Sequence, residues 1–157
     1  MKKFAIILSF LTIFSCISKD VVVKEIPFLY KNSNAQPSLV SGEGSLSLSW
    51  ISSNEGKKST LNFSQFKEGK WINTQTMATG SNWFVNWADF PAHAINENLI
   101  LSSYLKKSDS GTYTYDVILS LQKLSGEKVK EDFLLHTDGV KAEHGFVSII
   151  PNHNQGF

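Results

Sequence analysis

Large and small side chains alternate along Ser45 to Ser53, where Leu46, Leu48 and Trp50 stand between Ser45, Ser47 and Ser49. A period of two is that of an extended strand with one face toward a core. The alternation returns at Leu61 and Phe63, at Leu99, Leu101 and Leu105, along Tyr113, Tyr115, Val117, Leu119 and Leu121, and from Phe146 to Ile150. Turn-forming runs separate these segments, among them Ser53-Asn54-Glu55-Gly56, Glu68-Gly69-Lys70, Ser108-Asp109-Ser110-Gly111 and Ser125-Gly126-Glu127. No stretch after Cys16 sustains a helical period. The pattern predicts an all-β chain of short meandering strands.

The strands also repeat at a longer interval. Setting Leu46 on Leu99, and Leu99 on Val147, superposes GSLSLSWIS, ENLILSSYL and GFVSII. STLNFSQF then falls on TYDVILSLQ, and a glycine turn follows each, at Gly69 and Gly126. A repeat of roughly 50 residues with about four strands per unit is the signature of propeller blades. The predicted architecture over residues 42–157 is therefore a partial β-propeller, with about two four-stranded blades and the start of a third.

The N-terminus bears on location. Met1, Lys2 and Lys3 precede an apolar run from Phe4 to Phe14. Residues 1–15 have the form of a signal peptide, too short to span a bilayer. Cys16, the sole cysteine, stands at the expected cleavage point and resembles the lipidated cysteine of bacterial lipoproteins. This predicts a membrane attachment through an N-terminal lipid, and a place in the bacterial cell envelope or outside the cell. Residues 16–41, rich in Lys, Asn and Ser, show little periodicity and read as a lipidated or flexible tether, with folding proper from Gly42. The chain has 15 basic and 14 acidic residues, and losing Lys2 and Lys3 leaves it slightly acidic. No basic field exists to attract nucleic acid.

The run WFVNWADFP, Trp83 to Pro91, carries the densest candidate chemistry. Its aromatic residues are interrupted by Asn86 and Asp89, as in a wall that stacks on the apolar face of a sugar while polar groups orient it. The competing reading is a strand end whose aromatics fill a core and whose Asp89 caps a turn.

With GTYTYDV at Gly111 to Val117, HTDG at His136 to Gly139 and EHGFVSIIP at Glu143 to Pro151, this run resembles the N-terminal part of the sialidase-like, Asp-box propeller proteins, in their bacterial lipoprotein branch. The resemblance covers about Gly42 to Pro151. It implies a six-bladed propeller with a glycan-facing central pocket, and an exo-sialidase-like glycoside hydrolase as the full-length protein. Two features depart from that pattern. Sialidases clamp the substrate carboxylate with guanidinium groups, and every basic residue here is lysine. The Asp-box is degenerate, since SQFKEGKW at Ser64 to Trp71 places Phe66 where aspartate belongs. Residues 42–157 also hold fewer blades than a closed ring needs, so the sequence reads as an N-terminal fragment whose remaining blades would be partners.

Glycoside hydrolysis commonly takes two carboxyl groups flanking one bond, and the catalytic candidates are Asp89 and Glu143. Sialidases instead pair a tyrosine nucleophile with a glutamate, which makes Tyr113 and Tyr115 formal candidates. Trp83, Asn86, Trp87, Asp116, Asp138 and His144 are the ligand-binding candidates, with a glycan or glycoconjugate as ligand. His93, His136, His144 and His153 have no tight metal-ligand spacing, and neither metal nor cofactor is expected. His136 and His144 read instead as hydrogen-bonding pocket residues or as turn residues beside Asp138-Gly139. The alternative function is a non-catalytic glycan- or protein-binding scaffold on the envelope. For the isolated chain no turnover is expected.

Overall fold

The computed structural model describes residues 20–28, 30, 33–42, 45–53, 58–154 and 156–157. The expected signal peptide and Cys16 lie outside the described residues. Among the described residues there is no helix, and eight strands form two four-stranded antiparallel sheets. Each sheet is a meander of sequence neighbours. The first holds β1 (Ser33–Gly42), β2 (Ser45–Ser53), β3 (Ser59–Lys67) and β4 (Lys70–Gly80). The second holds β5 (His93–Asn96), β6 (Leu99–Lys107), β7 (Tyr115–Lys123) and β8 (Lys128–Leu134). Chemistry at the turns agrees with this order: Glu68 and Gly69 both take positive φ, 52° and 80°, as the tightest hairpin between β3 and β4 requires.

The sheets meet on one core. Ile51, Leu61, Phe63 and Met77 from the first pack against Ile100, Tyr104 and Ile118 from the second. Burying a side chain the size of Phe63 contributes about 1.5–3 kcal/mol, so this cluster is the main cohesive force between the sheets. Small residues let the sheets approach: Ser102 and Ser120 are fully buried on the same face. β4 slips register between its pairings with Leu61 and Asn62, leaving Met77 outside the ladder. Its carbonyl instead accepts hydrogen bonds from Ser120 Oγ at 3.2 Å and from Lys128 Nζ in the other sheet.

The serine face of β2 is not its wet face. Ser47 and Ser49 are buried and grip His93 of β5, with Ser47 Oγ 2.8 Å from Nε2 and Ser49 Oγ 2.9 Å from Nδ1. Phe63 packs edge-on against the same ring, at 5.6 Å between centroids. Burial disfavours the imidazolium and holds the His93 pKa down at about 4. The opposite face of β2 is covered too. Phe28 and Tyr30 stand edge-on to Trp50 at 4.9 and 5.2 Å, and Tyr30 Oη donates to Asn62 Oδ1 at 3.1 Å.

Two expected boundaries move. The folded part does not begin at Gly42, because β1 starts at Ser33 and the residues ahead of it dock through Phe28 and Tyr30. A tether reading therefore fails for these positions, whose aromatic side chains are what seals Trp50. At the other end, the strand expected over Phe146 to Ile150 is absent among the described residues. Its alternation survives without a ladder: Val147 and Ile149 pack on the outer face of the second sheet, against a cluster of Leu105, Tyr115, Val117 and Leu119. Among the described residues no neighbouring strand there supplies the backbone partners that a ladder needs.

Candidate functional site

WFVNWADFP forms the irregular connection from β4 to β5. Asn86 organises it, with Oδ1 accepting from the backbone N–H of Ala88 and of Asp89, both at 2.7 Å, and Nδ2 donating to Asp89 Oδ2. The aromatics then divide. Trp83 turns inward and stacks on Tyr104 at 4.0 Å, and Phe84 stacks on Tyr115 at 4.2 Å. Trp87 turns outward and is 90% exposed. Asp89 is buried, and its Oδ1 has no hydrogen-bond partner among the described residues. The core reading thus holds for Trp83 and Phe84, and Trp87 is left facing solvent.

The start of β7 receives a second segment. Tyr115 and Glu143 form an isolated parallel bridge, with Tyr115 N–H donating to the Ala142 carbonyl at 3.1 Å and His144 N–H donating to the Tyr115 carbonyl at 3.2 Å. In a parallel pair, residues at one level point to one side and the next pair to the other. This register therefore sorts the side chains into two groups. On one side the buried phenol of Tyr115 meets Glu143, which itself reaches solvent, and Asp116 meets His144 on the other, open side.

On the buried side, Tyr115 Oη lies 2.8 Å from Glu143 Oε1 and 3.4 Å from Asp89 Oδ2. The two catalytic candidates are thus brought to one phenol, and Tyr113 is not, its ring standing largely exposed. The side chain of Tyr115 is 0% exposed, and burial, the bond to Glu143 and the charge of Asp89 together push its pKa well above the ordinary phenol range. A phenol so held is a poor nucleophile. Gly145 closes the group from above, since a Cβ there would lie 2.7 Å from Asp89 Oδ1 and 3.4 Å from the Tyr115 ring. The cleft beside Asp89, edged by Phe90 and Phe146, measures about 10 Å³. Ligand pockets run from roughly 300 Å³ upward, so no sugar ring enters it.

On the open side, His136 and His144 stack face to face at 3.8 Å between centroids. Asp138 spans one edge of the pair, with Oδ1 3.2 Å from His136 Nδ1 and Oδ2 3.2 Å from His144 Nε2. Asp116 Oδ1 faces the other edge, 3.7 Å from His136 Nε2 and 3.6 Å from His144 Nδ1. The backbone N–H of Val140 and the two histidines hold the Asp138 pKa down at about 2. For His144, burial opposes the charge, but its bonds to Asp138 and to the Tyr115 carbonyl prevail and the pKa is raised. Spacing in the sequence gives no sign of this cluster, whereas the fold gathers two imidazoles and two carboxylates from three stretches of chain.

No family model, no curated protein and no solved structure matches the chain. One further cavity went unread in the sequence: a cleft of about 420 Å³ between the first sheet and the segment ahead of β1, lined by Phe28, Tyr30, Trp50 and Trp71 with Lys70 and Thr74 at its rim. Three of those aromatics lie on different elements, so no local motif marks it.

Proposed function

We propose that this chain is the first part of a sialidase-like propeller, lipid-anchored through Cys16 at the bacterial envelope, and that it binds glycans without turning them over. The observation that carries the reading is the division of labour around Asp89. The acids are engaged by the buried phenol of Tyr115, while Trp87 and Phe146 stand out to solvent, 90% and 77% exposed, and Phe90 is half out. Outward aromatic faces near the exposed carboxylate of Glu143 suit the apolar side of a sugar with a hydroxyl on that acid, while the buried Asp89 holds the loop. The missing arginine removes the clamp that a sialic acid carboxylate needs for turnover. Two stacked four-stranded meanders are what consecutive blades would look like, and this supports the propeller part of the proposal.

In a glycan array followed by titration of the best binder, Trp87→Ala is expected to cost about 2 kcal/mol, roughly thirtyfold in Kd. Unchanged binding in that variant would sink the reading. The Tyr115 to Glu143 hydrogen bond favours a second one, a tyrosine-nucleophile glycosidase completed by further blades. Release of sugar from a fluorogenic sialoside by the purified chain would establish it, and the raised phenol pKa argues that none is released.

A further inference from the structure

We propose that Asp116, His136 and His144 form a binding site for a divalent transition-metal cation of the zinc class, with Asp138 as the outer carboxylate that orients both imidazoles. The site is independent of the glycan reading and lies on the opposite side of the same backbone pairing.

The ligand atoms of the three residues all lie within 4.8 Å of one another. Asp116 Oδ1 approaches His136 Nε2 and His144 Nδ1 only to 3.7 and 3.6 Å, beyond good hydrogen-bond length, so the three atoms cluster without pairing off, and the stacked rings, 16° from parallel, must splay for both nitrogens to meet one ion. His136 Nε2 is buried and has no hydrogen-bond partner among the described residues. An unpartnered buried ring nitrogen is costly, and coordination of a cation relieves that cost.

The opposite ring edges fix the tautomers. A carboxylate only accepts, so His136 Nδ1 and His144 Nε2 must donate to Asp138. Neutral rings then carry their lone pairs on His136 Nε2 and His144 Nδ1, the two atoms turned to Asp116. A ligating histidine whose other N–H donates to a carboxylate is the usual outer support of a zinc site. Here one carboxylate serves two rings. With a neutral ring, the Nδ1 lone pair of His144 also faces the Tyr115 carbonyl oxygen at 3.2 Å, a repulsion that a cation or a proton between them removes.

Donor chemistry sets the class of ion. Two imidazoles with one carboxylate suit zinc, cobalt or nickel, and disfavour calcium and magnesium, which take oxygen ligands. Bonds of about 2.0–2.1 Å place tetrahedral ligand atoms roughly 3.4 Å apart, so closing on an ion contracts the widest spacing, at most 4.8 Å, by up to about 1.4 Å. The residues that must move, His136 and His144, sit outside the ladders of the sheet. Bound metal would tie the chain after β8 to the start of β7.

Competition of the full chain, carrying Cys16→Ser to remove the thiol, against a chromophoric zinc chelator tests the site. One equivalent of Zn²⁺ is expected to be withdrawn, with calcium and magnesium failing to compete. Asp116→Asn and His136→Gln are each expected to weaken binding tenfold or more, and Asp138→Asn by about 10- to 100-fold. His153→Ala, on a histidine outside the cluster, leaves affinity unchanged. Cobalt(II) in place of zinc gives the visible absorption of a tetrahedral nitrogen–oxygen site, lost in His136→Gln while near-ultraviolet dichroism stays that of the parent. Absence of zinc uptake, or equal affinity in Asp116→Asn and His136→Gln, overturns the proposal and leaves a stacked, hydrogen-bonded histidine pair in its place.

Discussion

Lowering the pH from 7 to 4 is expected to remove about 3 kcal/mol of stability through His93 alone. The ring has an ordinary pKa of 6.5 in the unfolded chain and about 4 in the fold, a difference equivalent to about 3 kcal/mol. Its sign follows from proton binding. Below pH 6.5 the unfolded chain takes up a proton that the folded chain refuses, so the unfolded state gains. The stability is fully present above about 6.5, falls progressively, and is lost once the pH drops through about 4. Urea denaturation at the two pH values measures the loss, and His93→Gln, which does not titrate, isolates the part due to this ring. A pH dependence identical in parent and variant would show that His93 is not held neutral. The loss falls on the contact between the sheets, because His93 of β5 is held by Ser47 and Ser49 of β2.

Replacing Tyr115 has an effect of similar size and separates structure from catalysis. Tyr115→Ala deletes a fully buried aromatic that stacks on Phe84, and truncations of this kind cost about 3–5 kcal/mol. Tyr115→Phe keeps the ring and removes the hydroxyl shared by Glu143 and Asp89. Asp89 Oδ2 keeps its bond from Asn86 and Glu143 reaches solvent, so the loss is that of a net hydrogen bond, about 0.5–1.5 kcal/mol. Thermal or urea unfolding of both variants reads these values. If Tyr115→Phe instead matched the parent in stability but changed the release of a sugar, the phenol would be a reacting group and its structural role would be secondary.

The sheets were legible at their centres and not at their edges. β2, β3, β6 and β7 each show the period-two pattern, and each has a neighbour on both sides. The four edge strands carry weaker signals for physical reasons. β8 is KVKEDFL, mostly exposed and charged, as edges are when they must resist pairing with other chains. β1 contains Pro37, which hides it from pattern reading, and the proline sits at the register shift between Ala35 and Ser38 where no ladder bond is needed. The serines of β2 misled in another way: small polar residues marked a face that is buried because it must admit a second sheet closely.

The site was legible in its parts. The four motifs WFVNWADFP, TYDV, HTDG and EHGF do converge, since Asp89, Tyr115, Glu143, Asp116, His136, Asp138 and His144 all belong to two adjoining groups. What no local pattern discloses is the parallel docking of residues 142–144 on β7, which assigns each side chain to its group. Trp83 and Asn86, expected to face a ligand, are instead occupied in stacking on Tyr104 and in shaping the loop.

That docking makes the two groups inseparable in heredity. A single-residue deletion between Asp138 and Glu143 would put His144 against the phenol of Tyr115 and Gly145 against Asp116, and an insertion would put Ala142 and Glu143 there, disrupting both sides in one step. Neither cluster can drift in position while the other stays. Natural variants of this chain should therefore vary freely in the length of the loops around Asp109 and Ser125, and keep the count of residues from Asp138 to Glu143 unchanged.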